Sequence, residues 1–332
     1  MKARLKSLLK YVIIILITSA LIWVALRGLN VGEGNKADFL WHTWERSDKG
    51  YLGLMAVIAM ASHLMRAVRW QMLLVPVGYN VGVWSSFLSV MIGYLVNLAI
   101  PRGGEVSRCY NLYKLENAPP EISFGTVVAE RVVDIIFLFL LIGASFIAEW
   151  DKLTTFLSSL GVSADGFTVS PWIIGGGLVF IAAGFFLFFR FRNNEKLKKI
   201  IIGFKEGLMA VFRVKNKSLF IIYSLSIWAL YFLMSYAVIK AFPETSTLGF
   251  SAVLTLFALG TIAMTVPLPG GAGSYHTIVP LGLVMLYNLP KPDAIAFVFV
   301  FHAWQTLILI VAGVVSLIIS YFIIRWRKPE TK

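Results

Sequence analysis

The sequence predicts an all-α polytopic membrane protein, and three observations predict it. Of the 332 residues, 58% are hydrophobic, the mean hydropathy is +0.79, and the apolar residues come in long unbroken runs rather than in amphipathic alternation. Those runs match the roughly 20 apolar residues that carry a helix across hydrocarbon. The excess of 30 Lys+Arg over 17 Asp+Glu collects in loops and at the chain ends. It therefore reads as positive-inside bias and attraction to the anionic membrane surface, and nucleic acid is not an expected partner. One cysteine, Cys109, excludes an intramolecular disulfide and a Cys-based metal cluster.

Taken in order, a basic start with Lys2, Arg4, Lys6 and Lys10 precedes the apolar run 11–26, read as a retained first span with a cytoplasmic N-terminus. Residues 27–50 carry four basic and four acidic side chains and suit an outer loop ending in an interfacial stretch around Trp41 and Trp44. The second span, 51–75, carries His63, Arg66 and Arg69 on one helix face. Arg69 is expected to snorkel to phosphate headgroups; Arg66, about 13 Å along the axis from Val75, suits either snorkelling or a buried role.

The apolar run 83–100 ends in Pro101-Arg102-Gly103-Gly104-Glu105-Val106-Ser107-Arg108. A helix breaker, two glycines and three charges are costly in hydrocarbon unless protein or trapped water surrounds them, which makes this stretch the first functional candidate. Residues 106–117 are too polar to cross. The third span, 124–148, contains Glu130, Arg131 and Asp134; the loop 149–170 is acidic and reads as outside. A fourth span, 171–189, leads into 190–217, whose nine basic and two acidic residues mark it as cytoplasmic. There Leu197, Ile200, Ile201, Phe204, Leu208 and Val211 recur opposite Lys196, Lys199 and Lys205, the pattern of an interfacial amphipathic helix. The fifth span is 219–241. Then come an apolar piece 250–266, the turn 267–273 with Pro269, Gly270, Gly271 and Gly273, a second piece 274–289, and a last span 294–324 before Arg325, Arg327 and Lys328. The C-terminus is therefore expected in the cytoplasm.

One constant shift along the chain superposes Gly82, Gly93, Gly103 and Gly104 on Gly249, Gly260, Gly270 and Gly271. Each half, about 8–150 and 171–326, then reads as span, span, broken segment, span, within a single membrane domain. The charge bias fits about six crossings if both broken segments turn back as re-entrant hairpins. An odd number of crossings per half makes the repeat inverted, with the hairpin tips approaching near the midplane.

At the first tip Arg102 and Arg108 suit bidentate pairing with a phosphate or carboxylate, with Glu105 as counter-charge, cation ligand or proton acceptor. A self-contained Arg-Glu-Arg network capping helix ends fits the same residues. Glu130 and Asp134 share a helix face, and Arg131 stands three residues before Asp134. An Arg131 partner for Glu105 and an acid partner for Arg102 or Arg108 would leave the pocket neutral or positive; a structural clamp on the hairpin is the competing reading. At the second tip the nearest polar groups are Ser274, Tyr275 and His276, and His302 with Gln305 takes the place of Arg131 and Asp134 in the repeat; each histidine also reads as a packing residue. No Walker loop, dinucleotide turn, His-Glu-x-x-His or Gly-x-Ser-x-Gly occurs, so neither a metal nor a cofactor is expected.

Pro101-Arg102-Gly103-Gly104-Glu105 with Arg108, Thr126-Val127-Val128-Ala129-Glu130-Arg131-Val132-Val133-Asp134 and Pro269-Gly270-Gly271-Ala272-Gly273 resemble the lysylphosphatidylglycerol synthase transmembrane-region family, the flippase-like membrane domain of the multiple peptide resistance factor. With span order, the resemblance covers about residues 5–325. It implies translocation of a phospholipid or lipid-linked headgroup, in the best-known relatives an aminoacylated phosphatidylglycerol, across a bacterial inner (plasma) membrane. Two features depart from the fused relatives. Ser274, Tyr275 and His276 stand where many continue with charged residues, and a chain ending at Lys332 is expected to be a stand-alone member without the soluble synthase domain. The expected substrate-binding set is Arg66, Pro101, Arg102, Gly103, Gly104, Glu105, Arg108, Glu130, Arg131, Asp134, Pro269, Gly270, Gly271, Gly273, His276 and His302, with no catalytic residue. Expected partners are the lipid substrate, a separate lipid-synthesising enzyme and further copies in a homo-oligomer. The alternatives are a lipid-modifying enzyme with Glu105 or Asp134 as base, and a non-transporting subunit or assembly factor that docks through the basic helix 195–214.

Overall fold

The computed structural model describes residues 34–159 and 195–327, with isolated positions between Leu16 and Leu29. The expected spans 11–26 and 171–189 lie outside the described residues. Within them the chain is all helix, as the hydropathy pattern requires: α1 Lys36–Arg46, α2 Lys49–Leu74, α3 Val83–Ala99, α4 Gly103–Glu116, α5 Pro120–Ala148, α6 Trp150–Ser159, α7 Glu195–Met209, α8 Lys217–Ala241, α9 Phe250–Thr265, α10 Ser274–Tyr287 and α11 Lys291–Arg327. Among the described residues, four segments are long and apolar enough to cross a membrane: Lys49–Val77, Pro120–Ala148, Lys217–Ala241 and Lys291–Trp326. Their outer faces expose Phe139, Ile147, Val311 and Ile318, the surface expected of chains in hydrocarbon. The protein is an all-α polytopic membrane protein.

Local chemistry sets the helix ends. Asp48 accepts from the backbone N–H groups of Gly50 (2.7 Å) and Tyr51 (3.2 Å) to start α2, and Asn216 accepts from Leu219 N–H (2.9 Å) to start α8. The Pro119-Pro120 pair opens α5, where a missing N–H costs nothing. α2 and α8 pack antiparallel along their lengths, and Asp48 N–H reaches Ala241 O at 2.7 Å.

The two broken segments form helical hairpins, α3–α4 and α9–α10. Their first limbs have 17 and 16 residues, about 25 Å each, short of a 30 Å hydrocarbon core. Gly82 and Gly249, matched in the repeat, both N-cap a first limb. Asn117 (φ 54) and Asn288 (φ 53) both end a second limb in the left-handed conformation. Hairpin one leads through Pro119 into the start of α5, whereas the open end of hairpin two meets the other end: Glu149, capping α5, accepts from Ser251 Oγ (2.8 Å) and from the Tyr287 hydroxyl. The hairpins thus open at opposite ends of α5, and their tips meet between. Arg102 Nη2 donates to Thr265 O at 2.9 Å, and Leu98 lies against Gly270.

The basic helix α7 does more than rest in an interface. Its Gly207 faces Gly125 of α5 so closely that a Cβ on Gly207 would sit 2.1 Å from Ile122 O, and one on Gly125 2.3 Å from Phe204 O. Of the apolar face read from the sequence, Val211 enters a core with Leu73, Val214 and Phe220, while Ile200 is exposed. Small residues let the backbones touch, so α7 is docked on the start of α5 through its glycines.

Candidate functional site

The site begins at Glu130, whose side chain is fully buried. Its Oε1 accepts from Arg66 Nη1 (2.6 Å) and Arg69 Nη2 (3.3 Å), and its Oε2 from Arg108 Nη2 (2.7 Å). One turn on, Asp134 accepts from Arg66 Nη2 (3.1 Å) and Arg69 Nη2 (2.7 Å). The i, i+4 spacing of the two acids and the i, i+3 spacing of the two arginines make this ladder possible, because both pairs present one face of their helix. Tyr231 accepts from Arg66 Nε (3.1 Å) and Ser224 from Arg69 Nη1 (3.2 Å), tying α8 in. The Arg108 guanidinium also lies 4.4 Å over the Trp70 ring. Four helices thus share one buried charge network.

Arg69 corrects the sequence reading. Rather than snorkelling, its side chain is wholly buried between Glu130 and Asp134, because two carboxylates on α5 supply what headgroup phosphate would have supplied. The self-contained Arg-Glu-Arg cap is also overturned. Arg108 pairs with Glu130, and Glu105 accepts from Arg131 Nη2 at 3.1 Å, so these two charges of hairpin one reach α5 instead of each other. Arg131 also lies 3.8 Å from Asp134. The expected Arg131–Glu105 pair and acid partner for Arg108 are both present.

Above the network lies a cavity of about 540 Å³, lined by His63, Arg66, Arg131 and Asp134 on one side and by Trp228, Tyr231, Phe257, Tyr275 and Phe301 on another, with Arg102 and Thr265 from the two tips. Gln305 joins the wall. Arg102 sits at φ 62 before α4, a conformation costing a non-glycine residue on the order of 1 kcal/mol. Pro101 and Gly103 make the turn, Gly103 N–H donating to Ile100 O (2.9 Å), and Asn97 Oδ1 accepts from Gly104 N–H (2.8 Å). At the other tip Gly270, Gly271 and Gly273 all have positive φ, and Ala272 N–H closes the turn on Pro269 O at 2.9 Å. His302 Nε2 lies 3.1 Å from the Gly270 carbonyl, to which it donates. His276 Nδ1 accepts from Gly273 N–H (3.3 Å), and the His276 and His302 rings are 4.7 Å apart. Both histidines therefore brace the second turn. Neither lines the cavity, so the structure does not bring them to the charged wall.

Sequence reasoning missed Trp228 and Tyr231 of α8 and Tyr94 of α3, all of which line the cavity. Their signal was faint: Trp228, Tyr231 and Ser235 recur on one face of a span that is otherwise apolar.

The family described as "Lysylphosphatidylglycerol synthase TM region" matches residues 8–313. A UPF0104 membrane protein of Methanothermobacter thermautotrophicus is 25% identical over 291 residues, covering 80% of this chain and 83% of the relative. A second UPF0104 membrane protein, from Methanocaldococcus jannaschii, is 37% identical over 93 residues, 27% of this chain and 28% of the relative. The glycosyltransferase AglD of Haloferax volcanii is 24% identical over 308 residues, and there the match takes 82% of this chain but 49% of the relative. No solved structure matches.

Proposed function

The chain belongs to the lysylphosphatidylglycerol synthase transmembrane-region family, and from that premise we propose that it binds a phospholipid or lipid-linked headgroup between its hairpin tips and carries it across the plasma membrane. What supports this is the cavity itself. It lies where two short hairpins, opening at opposite ends of α5, touch through Arg102 and Thr265, an arrangement that favours an inverted repeat with re-entrant tips and both chain ends in the cytoplasm. A headgroup there exchanges water for Arg102 and Arg131, while the fixed network beneath keeps the wall polar.

A carrier suits the site better than an enzyme. Asp134, one of the two bases considered, already accepts from two guanidinia, and Glu105 is engaged by Arg131. The substrate-facing groups are Arg102, Arg131 and Arg66, with Glu105, Glu130, Asp134 and Arg108 holding the wall and Gly103, Gly104, Gly270, Gly271 and Gly273 shaping the tips. The test is lipid movement in proteoliposomes. Arg102→Gln, Glu105→Gln and Arg131→Gln each abolish movement while the purified variants keep the parental thermal midpoint. Parental transport by all three would sink the proposal.

A further inference from the structure

Resting on that reading, we propose that the cavity is built for a dianionic phosphomonoester headgroup, in preference to a monoanionic phosphodiester or a cationic aminoacyl headgroup. The argument is a charge balance. Within the connected network, Arg66, Arg69, Arg108 and Arg131 face Glu105, Glu130 and Asp134. Arg102 adds a fifth guanidinium on the cavity wall, and among the described residues its polar contact is the Thr265 carbonyl, with no carboxylate. Two positive charges are left over along the cavity, one in the buried network, where uncompensated charge is costly, and one on the exposed Arg102 at the rim. A ligand with two negative charges cancels them; one with a single charge or a positive group does not.

The hydrogen-bond inventory points the same way. The cavity-lining Arg131 Nε and Trp228 Nε1 are buried without a partner, and both side chains can only donate. His63, itself 7% exposed, also leaves Nδ1 unpartnered in the same wall. A phosphomonoester brings three acceptor oxygens to such donors. The carboxylates offer a cationic headgroup little: Asp134 lines the cavity but serves two guanidinia, Glu130 beneath it serves three, and Glu105, held by Arg131 through Oε1 and unpartnered at Oε2, does not line the cavity. The aromatic wall of Trp228, Phe257 and Phe301 then receives the apolar part of the ligand.

The test is binding of dioleoyl lipids to the purified full chain, measured by native mass spectrometry with tails held constant. At pH 8 phosphatidate binds at least ten-fold more tightly than phosphatidylglycerol, and Arg102→Gln narrows that ratio. At pH 5, below the second ionisation of a phosphomonoester at about 6, the ratio narrows again. Phosphatidylglycerol keeps its charge over this range and so reports any titration of His63, Tyr94, Tyr231, Tyr275 or the acids facing the cavity. Inorganic phosphate at millimolar concentration leaves phosphatidate bound; displacement by phosphate would keep the dianion and identify a soluble phosphate ester as its source, against the lipid reading. Equal or tighter binding of phosphatidylglycerol or lysylphosphatidylglycerol overturns the dianion assignment and leaves lipid binding standing. Failure of every lipid to bind removes both.

Discussion

The two hairpins share a plan and differ in what holds their tips. Both start at a glycine N-cap and end at a left-handed asparagine, and each places a left-handed residue at its tip, Arg102 (φ 62) in one and Gly270 (φ 57) in the other. Hairpin one is fastened to α5 by ion pairs through Glu105 and Arg108. Hairpin two is fastened by backbone: Gly270 receives His302, and Ser274 Oγ donates to Ala263 O (2.8 Å). The same backbone geometry thus serves a charged tip that can meet a ligand and a neutral tip that supplies shape.

That contrast can be broken from its strongest point downward. Glu130→Gln takes a carboxylate from three guanidinia and leaves Arg108 with none among the described residues, so the folded state loses about 3–5 kcal/mol, read as a collapse of the thermal midpoint in detergent. Little change would mean the network contributes no stability. Arg131→Gln removes a cavity-lining charge whose pair is one-third exposed on the arginine side, so transport is abolished while the midpoint stays near parental. Gly104→Ala places a Cβ 2.1 Å from Gly93 O and prises α3 from α4, costing about 1–3 kcal/mol in chemical denaturation. Gly270→Ala, at φ 57 with Leu98 3.0 Å away, costs about 1 kcal/mol. Smallest is His302→Phe, which removes one hydrogen bond to a turn carbonyl and costs about 1 kcal/mol or less, with transport near parental. If His302→Phe abolished transport and Arg131→Gln did not, the roles assigned to the two tips would have to be exchanged.

Much of the fold is legible in the sequence because hydrocarbon imposes length and polarity on every crossing. The described spans, both hairpins and the Arg131–Glu105 pair follow from run length, breakers and charge. The partners of Arg66 and Arg69 do not, since Glu130 and Asp134 lie far along the chain and nothing local distinguishes a snorkelling arginine from a paired one. Arg69 was misread for that reason. Trp228 and Tyr231 escaped because an aromatic face in an apolar span carries no charge to mark it. The docking of α7 escaped because Gly203, Gly207 and Gly125 read as spacing in sequence and as contact only once the helices meet.

The network also constrains how the protein is made. α2 emerges from the ribosome with Arg66 and Arg69 before their carboxylates exist, and an unpaired arginine at the centre of a spanning helix costs about 2.5–3.5 kcal/mol on insertion scales. Released alone into lipid, α2 would bear part of that cost at Arg66 and less at Arg69, which lies nearer the helix end. That cost is offset only once α5 brings Glu130 and Asp134 beside it, so the stability of α2 in the bilayer depends on a helix made later.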